Sequence, residues 1–146
     1  MLRTDAQDPN SLSYNQITAL YEDHAGVIWV GTFNGGLNRY LLEKNRFIRF
    51  RSDFHNPSSL SHDLVYALVE DRNHTLWIGT DGGLNRMNSR ADEVDQASFT
   101  RFLLEPGRPG ALADNHIRAL AVDSTGNLWI GSDRGISMLP AGETGR

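Results

Sequence analysis

Histidines, paired acidic residues and glycine doublets are the groups in this chain that could do chemistry. Divalent metals are usually held by imidazoles and thiolates at short, regular spacings. His24, His55, His62, His74 and His116 make no such spacing, and there are no cysteines. They read as turn or surface histidines, and no metal is expected. Glu22-Asp23 and Glu70-Asp71 could serve as acid–base pairs, but they recur at matching places and read as turn-fixing groups. Asp81 and Asp133, each beside a glycine step, take the same reading. Gly35-Gly36 and Gly82-Gly83 lack the lysine or the spacing that phosphate cradles need, so they read as hairpin turns. Arg46, Arg49 and Arg51 make a small basic cluster whose simplest role is to discourage pairing at a sheet edge. An anionic ligand or partner is the alternative. No catalytic triad follows from spacing, no nucleophile stands out, and no cofactor is called for.

The elements that carry these residues come in copies. Ile28-Trp29-Val30-Gly31-Thr32, Leu76-Trp77-Ile78-Gly79-Thr80 and Leu128-Trp129-Ile130-Gly131-Ser132 start 48 and then 52 residues apart. Repeats of about 20–50 residues mean solenoids, propellers or arrays. With Leu12, Leu60 and Leu112 as origins, further columns align: Ala19, Ala67 and Ala119, then Asp23, Asp71 and Asp123, then the tryptophans.

Each unit divides into short strands. Ile17–Glu22, Val65–Glu70 and Ile117–Val122 are apolar runs of strand length. A polar turn follows, in which Asp can bond its own backbone and Gly26 or Gly126 supplies a positive φ. His74 takes the glycine's place in the middle copy. The tryptophan strand, a glycine hairpin and a third strand come next (Leu37–Tyr40, Leu84–Met87, Ile136–Leu139), then a fourth over Phe47–Phe50 and Phe99–Phe102. Four antiparallel strands make one propeller blade. The expected fold is all-β: blades at about 12–59, 60–111 and 112–146, the third lacking its outer strand, in an incomplete ring. The indoles should wedge between neighbouring blades, and Gly31, Gly79 and Gly131 should let backbone pass close by.

Bulk properties narrow the partners. A net charge of −4 and a pI near 5.7 make nucleic acid a poor partner. No apolar run approaches a membrane span, so no membrane contact is expected from this segment. The segment Leu2–Ser13 matches Phe50–Ser61, and Pro9, Pro57 and Pro109 each stand three residues before an origin leucine. The chain therefore reads as opening on the trailing end of an earlier blade and closing on a turn-rich tail after Leu139. A ring typically needs 4–8 blades, so closure is expected to require missing blades or self-association.

Leu60-Ser61-His62-Asp63-Leu64-Val65-Tyr66-Ala67-Leu68-Val69-Glu70-Asp71, followed by Leu76-Trp77-Ile78-Gly79-Thr80-Asp81-Gly82-Gly83-Leu84-Asn85-Arg86, closely resembles the two-component regulator propeller repeat. Three units cover nearly the whole chain. The third departs from the pattern, with Arg134 replacing a Gly and Ser137 replacing Asn. The resemblance implies a periplasmic or extracytoplasmic sensor module of a bacterial receptor, whose output is a histidine kinase or a diguanylate cyclase. It also implies an oligosaccharide or other small ligand. The less regular loop residues Asn34, His62, Asp63, Asp114, Asn115 and His116 are the candidate ligand contacts, since loops at strand ends generically carry function. The expected role is non-catalytic ligand sensing. The alternatives are a protein–protein scaffold and a propeller glycan hydrolase or lyase.

Overall fold

The computed structural model describes residues 1–88, 97–103 and 112–143. Pro109 lies outside them, as do residues 144–146 of the tail. Among the described residues, eleven strands form three antiparallel sheets. The first holds β1 (Ile17–Glu22), β2 (Ile28–Thr32), β3 (Leu37–Leu41) and β4 (Arg46–Phe50) in sequential order. The second holds β5 (Val65–Glu70), β6 (Leu76–Thr80), β7 (Gly83–Asn88) and β8 (Ser98–Phe102). The third holds β9 (Ile117–Val122), β10 (Leu128–Ser132) and β11 (Gly135–Leu139). Each sheet is a simple meander, as hairpin-length turns require. The sheets do not close on one another, so the fold is a row of propeller blades and an incomplete ring. Strands β1, β5 and β9 lie side by side where the blades converge.

The turn after the first strand is built identically in every blade. The Oδ1 atom of Asp23, Asp71 or Asp123 accepts the backbone N–H groups two and four residues on, at 2.8–3.0 Å. The other carboxylate oxygen accepts the indole N–H of Trp29, Trp77 or Trp129 at 2.8–2.9 Å. One aspartate thus fixes both the turn and the orientation of the ring. Positive φ falls where glycine was expected, at Gly26 (81°) and Gly126 (90°), and at His74 (62°) in the middle copy.

The indoles fill the seams. Trp29 joins Leu37 and Phe50 from the first blade to Leu60, Val65, Leu76, Ile78, Met87 and Phe99 from the second. Trp77 and Leu84 likewise meet Leu112, Ile117, Leu128 and Ile130. The expectation fails for Trp129, which is 42% exposed, because no described strand lies against the outer face of the third blade. Ile136 and Met138 are exposed on that sheet for the same reason.

The glycine after each tryptophan has a different role from the one expected. A Cβ on Gly31 would stand 2.6 Å from Val65 Cγ1, and one on Gly79 would stand 2.6 Å from Ile117 Cγ2. The close approach comes from a β-branched side chain on the next blade's first strand, not from backbone. At Gly131 the nearest atoms to a Cβ belong to Ala119, with its Cβ at an ordinary 3.4 Å. Gly79→Ala is therefore expected to destabilise by about 1–3 kcal/mol through overpacking. Gly131→Ala should stay within about 0.5 kcal/mol of the parent. Urea midpoints of the two variants check the contrast.

Within the arginine cluster, Arg49 takes a further role. Arg49 donates to the Ser11 carbonyl (2.9 Å), the Asp8 carbonyl (3.2 Å) and Ser11 Oγ (2.9 Å). Arg101 repeats this with Ser59, Asn56 and Ser59 Oγ at 2.9, 3.2 and 2.9 Å. These guanidiniums clamp the loop that leads into their own blade. Buried Asn38 and Asn85 close the opposite side of that loop: each accepts a backbone N–H and donates to a hydroxyl of Ser13 or Ser61. Ser137 keeps half of the arrangement, accepting the Ala113 N–H at 2.9 Å.

Candidate ligand-binding end of the blades

Antiparallel order places the segments entering β1, β5 and β9 at the same end as the β2–β3, β6–β7 and β10–β11 turns. All six candidate ligand contacts lie at that end. Their surroundings differ. Asn34 is exposed in the β2–β3 turn. His62 is exposed and its Nδ1 accepts the Leu64 N–H at 3.0 Å. Asp63 commits Oδ1 to the Ser52 N–H (2.7 Å) and its carbonyl to the Gly36 N–H (2.8 Å), so it ties the first blade to the second. Asn115 donates its backbone N–H to Asp114 Oδ1 at 2.7 Å.

Asp114 and His116 belong to a denser group. His116 Nδ1 lies 3.2 Å from Asp114 Oδ1, and ligand-type atoms of Asp114, His116 and Asp133 all fall within 4.8 Å of one another. Arg118 binds Asp133 through both guanidinium arms, at 2.7 and 2.9 Å. It also reaches Asp81 Oδ1 at 3.6 Å and lies over the Tyr66 ring, 4.2 Å from its centre. Two blades therefore meet in one cluster, with Tyr66 and Asp81 from the second and the rest from the third.

A shared backbone irregularity aims these side chains. In the register of each first hairpin one residue is extra: Thr18 in β1, Tyr66 in β5, Arg118 in β9. A β-bulge bends the strand and re-aims a side chain. In the first blade the bulged Thr18 hydroxyl donates across the seam to the Val65 carbonyl. In the other two blades the bulge carries Tyr66 and Arg118. Sequence reasoning missed all of Tyr66, Asp81, Arg118 and Asp133 as site residues. Offset six, where Thr, Tyr and Arg replace one another, is one of several columns that differ between the copies.

The electrostatics follow from these contacts. The Arg118 hydrogen bond holds the Asp133 carboxyl below its ordinary value against the opposing effect of burial. Burial raises the Asp114 carboxyl, but hydrogen bonds from His116 and from the Asn115 and His116 backbone outweigh it, and the net shift is down. The Trp129 indole bond, with the Asn127 N–H, does the same for Asp123. Depressed carboxyls bind fewer protons folded than unfolded. Their stabilisation is complete above the unfolded value of about 3.9 and is lost as pH falls through the lower folded values. The thermal midpoint is thus expected to be flat near neutrality and to drop below about pH 4. A pH series of melting curves checks this, and Asp123→Asn should make the acid limb shallower.

Comparison with known proteins agrees with this architecture. The two component regulator propeller model matches residues 11–34, 59–82 and 111–134. The chain belongs to the two-component regulator propeller family. Each matched block runs from the loop before the first strand to the turn after the tryptophan strand, so family identity resides in the aspartate turn, the indole and the bulge. No curated protein sequence matches the chain.

Among solved structures it is similar to PorZ of Porphyromonas gingivalis, described as a bacterial surface component of the type-IX secretion system. The TM-score is 0.70 at 21% identity, over 97% of this chain and 19% of that one. It is also similar to virginiamycin B lyase of Staphylococcus aureus in complex with quinupristin, with a TM-score of 0.54 at 14% identity over 91% and 43% of the two chains. An extracellular domain described as that of a hybrid two component system from B. thetaiotaomicron gives a TM-score of 0.49 at 22% identity over 90% and 22%. The chain spans about a fifth of the PorZ and B. thetaiotaomicron chains. Among the described residues, no helix is long and apolar enough to cross a membrane.

Proposed function

We propose that this chain is the ligand-sensing propeller segment of a bacterial two-component or cyclic-di-GMP receptor. On this reading it works outside the cytoplasm and does no chemistry itself. The observation that carries the reading is the placement of Tyr66 and Arg118 on bulges of neighbouring blades, in a family of signalling propellers. The bulge turns these two side chains toward the seam between the second and third blades, where they meet Asp81 and Asp133.

The chemistry favours a neutral, hydroxyl-rich ligand such as an oligosaccharide. Arg118 is engaged bidentately by Asp133, so it offers little to an anion. The Asp81, Asp114 and Asp133 carboxylates gather beside the Tyr66 ring, an acceptor-rich surface that suits hydroxyl donors. Glycoside hydrolysis needs a carboxylic acid kept protonated, with its pKa raised. Asp114 and Asp133 are shifted the other way, which disfavours a hydrolase at this cluster. Ligand binding would signal by favouring one state of the receptor, which requires different affinities for the two states. The apolar outer faces, with Leu20 on the first blade and Ile136 on the third, would pack on further blades or on a second copy.

A thermal-shift panel of neutral and uronic-acid oligosaccharides tests the proposal. The expected result is a shift with a neutral glycan that disappears in Arg118→Ala. A shift that survives Arg118→Ala, or none across the panel, would count against this cluster as the sensor site.

A further inference from the structure

Away from that end, at the turns between β1 and β2 and between β5 and β6, two histidines and a glutamate cross the first seam. His24 Nδ1 lies 2.6 Å from Glu70 Oε2, and the His24 backbone N–H donates to Glu70 Oε1 at 2.9 Å. The His24 and His74 rings stack with centres 3.9 Å apart and planes 22° apart. One ligand-type atom from each of His24, Glu70 and His74 falls within 4.8 Å of the others. They line a groove of about 330 Å³ with Asp23, Asn73 and Arg39. The Asp23 oxygens are taken by its own turn and by Trp29. Spacing along the chain could not reveal this trio, because His24 belongs to one blade and Glu70 and His74 to the next.

A second observation sets the trio apart from an ordinary surface cluster. His74 holds φ at 62°, where the equivalent positions are Gly26 and Gly126. A side chain in the left-handed region costs roughly 1–2 kcal/mol relative to a relaxed backbone. His24 likewise stands where the other copies have Arg72 and Ser124. The two departures from the repeat meet each other across the seam, and an unfavourable conformation held at one position points to function.

The geometry points to a divalent metal site at His24, Glu70 and His74, taking zinc or a similar borderline ion, that staples the first blade to the second. Two imidazoles and a carboxylate with one open position is an established zinc donor set. Ligand atoms about 2.0–2.2 Å from a tetrahedral ion stand roughly 3.3–3.5 Å apart. To reach that, the stacked imidazoles must turn out of parallel so that both nitrogens face one point, and His24 and His74 are exposed enough to do so.

The test uses the 146-residue chain stripped with EDTA and titrated with zinc chloride by calorimetry. The expected result is one equivalent bound, with a thermal midpoint raised by roughly 5–10 °C at a hundredfold excess over Kd. His24→Gln and His74→Gly should each abolish both effects. His74→Gly installs the residue the other two turns use, so it should fold at least as well as the parent without metal. His55→Ala, an exposed histidine outside the trio, should leave binding unchanged. Failure to bind zinc, binding that survives both seam variants, or loss only in His55→Ala would overturn the assignment.

Discussion

Trp77→Ala is expected to destabilise the chain by about 3–5 kcal/mol, the usual range for deleting a core aromatic. Trp129→Ala, the same substitution in the next repeat, should cost far less. The two indoles have the same sequence context and the same aspartate partner. They differ in burial: Trp77 is 0% exposed and Trp129 is 42% exposed. A buried indole covers roughly 150–250 Å², worth on the order of 4–6 kcal/mol as an upper bound at about 25 cal/mol/Å². It also touches Leu112, Ile117, Leu128 and Ile130 of the following blade, so its loss opens a cavity along the seam. Urea unfolding of the two variants measures the contrast. Equal losses would mean that the seam is not where the indole acts.

Asp71→Ala is expected to cost about 3 kcal/mol and to lower the midpoint nearly as far as loss of Trp77. Asp71 is 4% exposed and accepts three N–H groups: those of Asn73 (2.8 Å), Thr75 (3.0 Å) and the Trp77 indole (2.8 Å). Leaving a buried donor unpaired costs about 1–3 kcal/mol, and the indole N–H has no route to water at this seam. Asp71→Asn keeps one acceptor oxygen and replaces the other by a donor, so it should fall between parent and alanine. The equivalent change at Asp123 should be much milder, because the partially exposed Trp129 can turn its N–H to solvent. Near-ultraviolet circular dichroism of Asp71→Ala should lose tryptophan signal while the far-ultraviolet strand signal persists.

Strands were legible from periodicity almost to the residue. Ile17–Glu22, Val65–Glu70 and Ile117–Val122 have the bounds expected, and the third and fourth strands differ by one residue at an end, or at both ends for β7. Repetition made this possible, since the first three strands were read three times over and the fourth twice. What stayed hidden acts between elements. The Asp–Trp bond joins residues six apart on opposite sides of a turn. The Arg49 and Arg101 clamps reach back some forty residues. The glycine column reads as a backbone feature until the β-branched residue of the next blade is seen against it.

The candidate site was legible in part. Of the six candidate residues, Asp114 and His116 lie in the charged cluster at that end of the blades. Arg118 and Tyr66 were passed over because a bulge places them, and bulges leave no mark in an alternation pattern of five or six residues. The useful sign was a varying column that falls beside a neighbouring blade. The same sign marks His24 and His74. In a repeat protein, shared columns describe the blade, and unshared ones show where a particular blade does something of its own.

Acrylamide quenching of a chain with Trp77 as its sole tryptophan, the others replaced by phenylalanine, bears most directly on blades stacked through buried indoles. Stacking requires a blue-shifted emission and quenching far weaker than in urea, with a Trp129-only chain at low concentration quenched freely. Trp77 emission as red and as quenchable as in the unfolded chain would contradict the stack, and the proposed site between the second and third blades would go with it.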